Sequence, residues 1–385
     1  MEHPTAQFTV ASRAESNAPV SAADRTPTHD VGTTRWLVTG GAGFIGSALV
    51  RQLVSETEVH VLTVDSLTYA GNLASLGDAL AHPRHRFVQA DVADGAQMRA
   101  LLGEFRPQVV VHLAAETHVD RSIDNAAAFV QTNIVGTYTL LEAIRAYTLS
   151  STRDEAAGFR LLYVSTDEVF GSATVGTRFD EGSQYNPSSP YAASKASADH
   201  LVRAWHHTYD MPALITNCSN NYGPYQFPEK LIPLMISKAI AGEPMPVYGD
   251  GLQVRDWLHV DDHARALRDV VARGLPGRTY AVGARCERTN LDVVRLIGRV
   301  LDELRPLHTR TREQSIQYVA DRPGHDRRYA IDPSRIESEI GWRPRYDFES
   351  GMRQTIEWYL DNHAWLDAVT SGAYRGQRLG LGVVT

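Results

Sequence analysis

Residues 36–50 read WLVTGGAGFIGSALV, an apolar run that ends in glycines and continues with helical spacing of its apolar residues. Gly40, Gly43 and Gly46 have the spacing Gly-x-x-Gly-x-x-Gly. Between a strand and a helix, the first glycine permits a tight turn and the second lets the backbone approach a diphosphate. The third lets the helix pack closely on the strand. The stretch therefore predicts a dinucleotide site, although such a turn can also serve packing alone.

A second apolar strand, residues 59–64, ends at Asp65, 19 residues after Gly46. An acidic side chain at this point accepts hydrogen bonds from the adenosine ribose and repels a 2′-phosphate. Asp65 therefore favours NAD over NADP as the cofactor. Asp91 follows the third predicted strand, where it can be either an adenine contact or a helix cap.

Apolar strands alternate with helical segments through the first half of the chain. This alternation predicts an α/β fold, a Rossmann-type doubly wound parallel sheet, with ligands beyond the carboxyl ends of its strands. After about residue 217, proline and glycine become frequent and helices are separated by irregular stretches. The predicted strands are 36–39, 59–64, 86–90, 109–113 and 160–165, and the helices are 95–105, 126–147, 231–241, 261–273, 289–304 and 349–361.

This change in composition after about residue 217 predicts how the chain divides into domains. Residues 1–32, rich in Ala, Ser, Thr and Pro, are expected to form a disordered extension. Residues 33–217 are expected to form the NAD-binding Rossmann domain, with a return segment near 253–282. Residues 218–385 are expected to form mainly a smaller α/β domain that binds the substrate.

Composition excludes several classes of function. The net charge of −7 argues against a nucleic-acid partner. Two cysteines, Cys218 and Cys286, are too few for a disulfide scaffold, and no Cys/His spacing resembles a zinc site. No apolar run reaches the length of a membrane span, and residues 1–32 lack the core of a signal peptide. We therefore expect a cytoplasmic enzyme without a metal or a membrane partner.

Tyr191 and Lys195 are four residues apart in a segment of helical character, so their side chains share one helix face. A tyrosine with an unperturbed pKa of about 10 is a poor base at neutral pH. A nearby ammonium and a positive nicotinamide ring favour its phenolate, which can accept a hydroxyl proton as hydride leaves. Lys195 can also hold the nicotinamide ribose. With the glycine turn, the pair resembles an extended short-chain dehydrogenase/reductase and indicates oxidation of an alcohol.

Thr166, Asp167 and Glu168 follow the fifth predicted strand. Oxidation of an alcohol needs a hydroxyl such as that of Thr166 and the tyrosine, but it does not need two adjacent carboxyl groups. A carboxyl pair beside the nicotinamide indicates further proton transfers, with one group as acid and the other as base, if their surroundings separate their pKa values. Solvated loop charges are the alternative interpretation.

Longer stretches resemble the dTDP-glucose 4,6-dehydratase family from about residue 35 to about residue 375. Three runs are long enough to be specific to this group: NNYGP at 220–224, EKLIP at 229–233 and RPGHD at 322–326. Further matching stretches are 113–122, 165–171, 191–195, 217–219 and 255–257. The resemblance covers nearly the whole of the predicted folded part.

The resemblance implies a cycle on dTDP-glucose with no net redox change. Tyr191 takes the proton of the carbon-4 hydroxyl while hydride passes to a tightly held NAD, and Thr166 binds the carbon-4 oxygen. Glu168 then removes the proton on carbon 5, and Asp167 protonates the departing carbon-6 hydroxyl. The hydride returns to carbon 6, which yields a 4-keto-6-deoxy sugar.

The resemblance also implies two sets of binding residues, of which Lys230 and Arg255 are physically suited to a diphosphate, although each could be a surface cation. The cofactor set is Gly40, Gly43, Phe44, Ile45, Gly46, Asp65, Ser66, Leu67, Thr68, Asp91, Val92, Leu113, Ala114, Ala115, Thr132, Tyr191, Lys195 and Asn221. The substrate set is Thr117, Thr166, Asn220, Lys230, Leu231, Pro246, Tyr248, Arg255, Asn290, Asp321, Arg322 and His325.

Alternative functions remain open at this point. A nucleotide-sugar 4-epimerase on the same fold has no use for Asp167 and Glu168. A dehydratase of a UDP- or GDP-linked sugar is harder to exclude because base selection rests on few contacts, although Asp65 weighs against the NADP-using GDP-mannose branch. An inactive NAD-binding regulator is not expected to retain all the catalytic side chains.

Relatives pair two helices from each subunit, so we expect a homodimer through segments 126–147 and 191–208.

Overall fold

The computed structural model describes residues 35–370, except 154, 155, 157 and 309, together with residue 379. The extension predicted for residues 1–32 lies outside the described residues. The first part comprises β1 (Arg35–Thr39), α1 (Phe44–Glu56), β2 (His60–Asp65), β3 (His85–Gln89), α2 (Gly95–Phe105), β4 (Val109–His112), α3 (Val119–Asp124), α4 (Ala126–Phe129), α5 (Thr137–Ser150), β5 (Arg160–Thr166), α6 (Pro190–Tyr209) and β6 (Ala213–Cys218).

The second part begins directly after β6. It comprises β7 (Asn220–Tyr222), α7 (Leu231–Ile240), β8 (Met245–Tyr248), β9 (Val254–His259), α8 (Val260–Arg273), β10 (Thr279–Val282), β11 (Glu287–Thr289), α9 (Asn290–Leu304), β12 (Ile316–Val319), α10 (Phe348–Asp361) and α11 (His363–Thr370). Strand β6 crosses the boundary that the sequence analysis set at residue 217.

A seven-stranded sheet has the order β10-β6-β5-β4-β1-β2-β3, and all its neighbouring strands pair in parallel. Trp36 and Val38 of β1 belong to the core beneath α1 and α8, whereas Leu37 belongs to the core beneath α2 and α5. Both faces of the sheet are therefore covered, which explains why its strands read as continuous apolar runs. The predicted doubly wound parallel sheet is confirmed.

The glycine turn brings α1 close to the end of β1. Gly40 has a φ of 68°, and a Cβ on it would lie 2.6 Å from the backbone nitrogen of Ala114 after β4. A Cβ on Gly46 would lie 2.2 Å from the carbonyl oxygen of Gly40. Only glycine permits this combination of left-handed backbone and close approach.

The helix predicted for residues 126–147 is interrupted. Residues 130–136 form a π-helical segment between α4 and α5. Within it, Asn133 is buried and bonds the backbone N–H and the carbonyl of Glu116 at 2.8 and 3.0 Å and the Ser194 hydroxyl at 2.8 Å. Segments of this kind are frequent at functional sites. Here the wider turn coincides with an asparagine that ties the helix to the loop after β4.

The second part has its own core and two small sheets, β11-β9-β7 and β12-β8. Strand β9 belongs to the first of these small sheets. The chain then returns through α8, whose Ala264 and Leu267 pack in the core that α1 also covers, and β10 pairs with β6. Leu258 of β9 already packs in that core, so the return to the large sheet begins within β9.

Two helical glycines give a matched test of this packing. We expect Gly46→Ala to lower the free energy of unfolding by about 1–3 kcal/mol because its Cβ would overlap the Gly40 carbonyl. Gly103→Ala in α2, where a Cβ meets nothing within 4 Å, should raise it by about 0.5–1 kcal/mol. Urea unfolding followed by circular dichroism measures both. Equal effects of the two substitutions would contradict the proposed role of Gly46.

Candidate functional site

A first cavity of about 340 Å³ runs along the carboxyl ends of the parallel strands. Every residue of the predicted cofactor set lines it except Leu67, whose backbone N–H donates to the Asp65 carboxylate at 2.9 Å. Thr117, Thr166, Asn220 and Lys230 of the predicted substrate set line it as well. The sheet therefore gathers groups that are up to about 190 residues apart in the sequence.

The amino end of α1 is built to meet an anion. Gly43 is the N-cap residue, and no side chain caps this helix. The first N–H groups of the helix, at Phe44 and Ile45, therefore stay available at the wall of the cavity. Unpaired N–H groups and the helix dipole together bind a diphosphate.

Asp65 fixes the turn from the other side. Its two carboxylate oxygens accept hydrogen bonds from the backbone N–H of Ala42 at 3.0 Å and of Leu67 at 2.9 Å. Burial raises the pKa of Asp65, and the two N–H donors oppose that rise. The carboxylate thus holds the glycine turn while one side of it faces the cavity, where a ribose could donate to it.

Asp91 also lines the first cavity, at an exposed position. Its carboxylate accepts a hydrogen bond from the N–H of Ala93 at 2.8 Å. Asp94, not Asp91, is the N-cap of α2 and accepts from the N–H groups of Ala96 and Gln97. The helix-cap interpretation of Asp91 is therefore wrong, and its carboxylate shapes a turn at the rim of the cavity.

Helix α6 presents Tyr191 and Lys195 at the inner end of the first cavity. Ser189 caps the helix by accepting from the N–H of Ala192, and Pro190 fills its first turn. The Lys195 ammonium donates to the Val164 carbonyl at 2.8 Å and lies 4.2 Å from the centre of the Tyr163 ring. Burial lowers the pKa of Lys195 to about 8.

Tyr191 is almost fully buried. Burial raises its pKa well above the ordinary value, and the nearby Glu168 carboxylate raises it further, whereas a hydrogen bond with Thr166 lowers it. Ionisation of the phenol therefore depends on positive charge near its oxygen. In this structure the Lys195 ammonium is engaged by a backbone carbonyl of β5 rather than by the phenol.

Asp167 and Glu168 begin a short 3₁₀ turn at the end of β5. Asp167 is only 1% exposed, and its Oδ2 atom has no partner among the described residues. Burial, Glu168 and Asp256 all raise the pKa of Asp167 well above its usual range. Burial raises the pKa of Glu168 too, but Arg322, Lys230 and Arg255 oppose that rise. The surroundings thus favour a proton on Asp167 more strongly than on Glu168.

A second cavity of about 480 Å³ adjoins the first and lies against the second part of the chain. Glu168 lines both cavities and so stands at their junction. Asp167 lines neither, because its side chain is buried behind the turn. The residues common to both cavities are Glu168, Asn220, Asn221, Gln226, Glu229 and Lys230. The interpretation of the carboxyl pair as solvated loop charges is wrong.

Four basic side chains, Lys230, Lys238, Arg255 and Arg322, line the second cavity. Arg255 is only 5% exposed and lies 4.2 Å from the centre of the Tyr329 ring, so it is not a surface cation. Arg322 forms an ion pair with Asp120 at 3.3 Å, and Lys230 donates to the Thr117 carbonyl at 2.7 Å. Leu231, Pro246, Tyr248, Asn290 and His325 of the predicted substrate set line this cavity as well.

Asp321 lines neither cavity, and its carboxylate instead holds neighbouring side chains. It accepts a hydrogen bond from the Gln253 amide at 2.9 Å and faces the Nδ1 atom of His325 at 2.6 Å. Burial lowers the pKa of His325 to about 4, so the ring is neutral near pH 7. The structure therefore gives Asp321 the task of orienting His325 at the cavity wall.

Comparison with known proteins agrees with this geometry. A family model described as GDP-mannose 4,6 dehydratase matches residues 37–355. A dTDP-glucose 4,6-dehydratase of Escherichia coli is 54% identical over 357 residues, which cover 90% of this chain and 99% of that protein. One from Xanthomonas campestris pv. campestris (strain B100) is 56% identical over 348 residues, with 90% and 98% covered.

The chain belongs to the dTDP-glucose 4,6-dehydratase family. Solved structures of this family have the same fold. The dehydratase DesIV of Streptomyces venezuelae, crystallised with NAD and dTDP bound, superposes with a TM-score of 0.79 at 44% identity and covers 87% of this chain and 99% of its own. A UDP-glucose 4-epimerase of Thermus thermophilus in complex with NAD superposes with a TM-score of 0.74 at 28% identity, with 85% and 99% covered.

One cavity residue, Glu229, and its two partners were not predicted as site residues from the sequence. The buried Glu229 carboxylate accepts from Arg121 at 2.8 Å, and the Arg121 guanidinium lies 3.8 Å from the centre of the Tyr69 ring. Glu229 stands within the EKLIP run, and Arg121 within the matching stretch 113–122. Their motif membership was a usable signal, but their pairing across 108 residues was not visible in the sequence.

Two kinds of feature are absent from the described part of the chain. No group of three or more His, Cys, Asp or Glu side chains there could hold a metal ion. No helix in that part combines the length and apolarity that a membrane span requires.

Asp65 and Asp94 allow a matched test of the cofactor cavity, because each carboxylate accepts from two backbone N–H groups. We expect Asp65→Ala to raise the dissociation constant for NAD by on the order of 10- to 100-fold, since hydrogen bonds to charged groups contribute about 1.5–3 kcal/mol. Asp94→Ala should cost about 1 kcal/mol of stability as a lost cap and leave NAD affinity unchanged. Calorimetric titration of cofactor-stripped protein measures both, and unchanged affinity in Asp65→Ala would refute the assignment.

Proposed function

We propose that this chain is an NAD-dependent lyase that converts dTDP-glucose into dTDP-4-keto-6-deoxyglucose and water. The observation that carries the proposal is the position of Glu168 at the junction of the two cavities, with Asp167 buried directly beside it. Oxidation alone, or epimerisation at carbon 4, needs no such carboxyl pair. The names of the curated relatives and the NAD and dTDP bound to the Streptomyces venezuelae dehydratase support the same activity.

The first cavity suits NAD on three observations. The uncapped end of α1 offers N–H groups to a diphosphate, Asp65 offers a carboxylate to a ribose, and Tyr191 with Lys195 closes the inner end. When bound, NAD supplies a temporary acceptor for the hydride of carbon 4, which is delivered to carbon 6 later in the same turnover. Because the cofactor is restored in every cycle, the deep setting of the site fits tight retention.

In the first step the chain takes up one proton. The Tyr191 phenolate accepts the proton of the carbon-4 hydroxyl, and the Thr166 hydroxyl holds the same oxygen in place. The Thr166 hydroxyl also accepts from the N–H of Glu168 at 3.3 Å, so its position is fixed by the 3₁₀ turn. Lys195 contributes positive charge, which favours the phenolate against the effect of burial.

In the second step the carboxyl pair removes water. The ketone at carbon 4 acidifies the carbon-5 proton, and the ionised Glu168 accepts that proton from the junction of the cavities. Asp167 gives its proton to the departing carbon-6 hydroxyl, which leaves as water. Because Asp167 lines neither cavity, this transfer requires its side chain to turn toward the junction. Its Oδ2 atom has no partner among the described residues, so the rotation breaks only the hydrogen bond that the Thr166 hydroxyl donates to Oδ1 at 3.4 Å.

The second cavity suits the nucleotide diphosphate. Arg255 and Lys230 reach it from different elements and provide two cationic groups for the phosphates. Arg322 adds a third, partly neutralised by Asp120. Asn290 and Pro246 line the remainder of this cavity, where the base would lie. The same cations oppose the rise that burial causes in the pKa of Glu168, so substrate binding and the base function share one electrostatic field.

The protein is further proposed to act as a cytoplasmic homodimer. Val130, Tyr138, Leu149 and Tyr209 are large apolar side chains that are exposed on the helical segments 126–150 and 190–209. An apolar surface of this kind supports pairing with a second copy. Both cysteines are free thiols, which is typical of a reducing compartment.

Product analysis with alternative nucleotides tests the substrate. We expect the purified protein to convert dTDP-glucose into a product with the alkali-induced absorbance of a 4-keto sugar. UDP-glucose should react far more slowly, because the relatives that support the proposal are dTDP-linked enzymes. Product from UDP-glucose but none from dTDP-glucose would overturn the proposal that dTDP-glucose is the substrate. UDP-galactose formed from UDP-glucose without a keto sugar would indicate an epimerase.

Glu168→Gln separates elimination from oxidation. We expect turnover to fall by about 10²- to 10⁴-fold, as is typical for loss of a general base. Oxidation at carbon 4 should persist, so the absorbance of the reduced cofactor should accumulate in a single turnover. Glu104→Gln, on the exposed face of α2, is the matched control and should change neither signal. Full turnover in Glu168→Gln would refute the role of this residue.

A further inference from the structure

One buried charge near the site has no part in the steps above. Asp199 lies one helical turn after Lys195 on α6 and is 0% exposed. A carboxylate without exposure is costly unless other groups stabilise it. The partners of this side chain therefore indicate what it does.

Its hydrogen bonds lead from α6 to the catalytic turn. The Oδ2 atom of Asp199 accepts from the Tyr185 hydroxyl at 2.6 Å and from the Asn217 amide nitrogen at 3.3 Å. The same Asn217 nitrogen donates to the carbonyl oxygen of Thr166 at 3.0 Å. Since a carbonyl can only accept, the Asn217 amide must present its nitrogen to both oxygens. Asp199 thus bonds, through one side chain of β6, to the residue immediately before Asp167.

The directions of the hydrogen bonds are also fixed at Tyr185, the other partner of Asp199. Arg203 donates to the Tyr185 hydroxyl at 2.6 Å, and a guanidinium can only donate. The Tyr185 proton therefore points at Asp199. Burial raises the pKa of Asp199, but the Tyr185 hydrogen bond, Lys195 and Arg203 all oppose that rise. The donors that converge on Oδ2 require that this oxygen carry no proton, and the Lys195 and Arg203 cations oppose a proton on either oxygen.

We propose that Asp199 is a positioning residue of the active site, which joins the helix of Tyr191 and Lys195 to the end of β5. The proposal rests on the dehydratase function proposed above. Asp199 touches neither cavity, so it acts through its neighbours. Through Asn217 it holds the Thr166 carbonyl, and through its negative charge it supports the ammonium form of Lys195.

The effect of the Asp199 charge on Lys195 can be tested through the pH dependence of the rate. The Asp199 charge raises the pKa of Lys195, against a burial effect that lowers it to about 8. Without that charge the ammonium would be lost at lower pH, and with it the support for the Tyr191 phenolate.

The other titratable groups around this pair do not ionise in the same range. Burial lowers the pKa of His112 to about 3, raises that of Cys218 to about 12, and raises those of Tyr163 and Tyr185 above the ordinary value. The groups that face Lys195 or Asp199 are His112 of β4, Tyr163 and Ser165 of β5, Asn217 and Cys218 of β6, Tyr185 of the loop before α6, and Tyr191 and Arg203 of α6. A change in the alkaline limb therefore reports mainly on Lys195.

The test is the pH profile of kcat for Asp199→Asn in the NAD-loaded, full-length protein with dTDP-glucose. We expect the alkaline limb to move to lower pH by roughly one unit, a typical effect of removing one buried charge. Asp210→Asn, the same change at the exposed carboxyl end of α6, is the matched control and should leave the profile unchanged. An unshifted limb in Asp199→Asn, even with a uniform loss of rate at every pH, would overturn the proposal.

Tyr185→Phe provides a second test if Asp199→Asn does not fold. The phenyl ring keeps its packing 5.2 Å from Phe170, but the hydroxyl that stabilises the Asp199 carboxylate is lost. We expect a smaller shift of the alkaline limb in the same direction, and no shift would overturn the proposal. Failure of the wild-type protein to act on dTDP-glucose would instead refute the proposed function. The comparison of variants then uses whichever nucleotide sugar the wild type converts.

Discussion

The parallel pairing of β5 with β4 on one side and β6 on the other is the constraint on which the site depends. It brings the ends of these strands to one edge of the sheet, so Leu113, Thr166 and Cys218 all lie at the inner wall of the first cavity. Helix α6 crosses the same edge and adds Tyr191 and Lys195. Because both faces of the sheet are covered, these groups sit in a setting of low polarity, where each charge affects its neighbours strongly.

That setting explains how two adjacent carboxyl groups can have different tasks. Asp167 is enclosed next to a second buried carboxyl group, Asp256, whose own pKa is raised to about 6. Glu168 instead faces the cations of the second cavity. The difference arises from burial and from the sign of the nearest charges, since the two residues are neighbours in the chain. The division of labour proposed for the pair thus depends on the surroundings of the two groups rather than on their type.

The two parts of the chain contribute different components of the site. The large sheet carries the cofactor cavity and the reactive groups, while the second part carries the cations and Tyr329. Gln226, Glu229 and Lys230 of the loop after β7 line both cavities and connect them.

The sequence by itself determined the parallel sheet, the glycine turn and the four side chains proposed to react, which are Asp167, Glu168, Tyr191 and Lys195. These features depend on local patterns: apolar runs, glycine spacing and the i, i+4 relation of Tyr191 and Lys195. Only the tertiary structure decided that Glu168 faces both cavities while Asp167 faces neither, and that Asp94 rather than Asp91 caps α2. It also decided that Asp199 reaches Thr166 through Asn217. Burial and contacts between distant segments set these roles, and no local pattern encodes them.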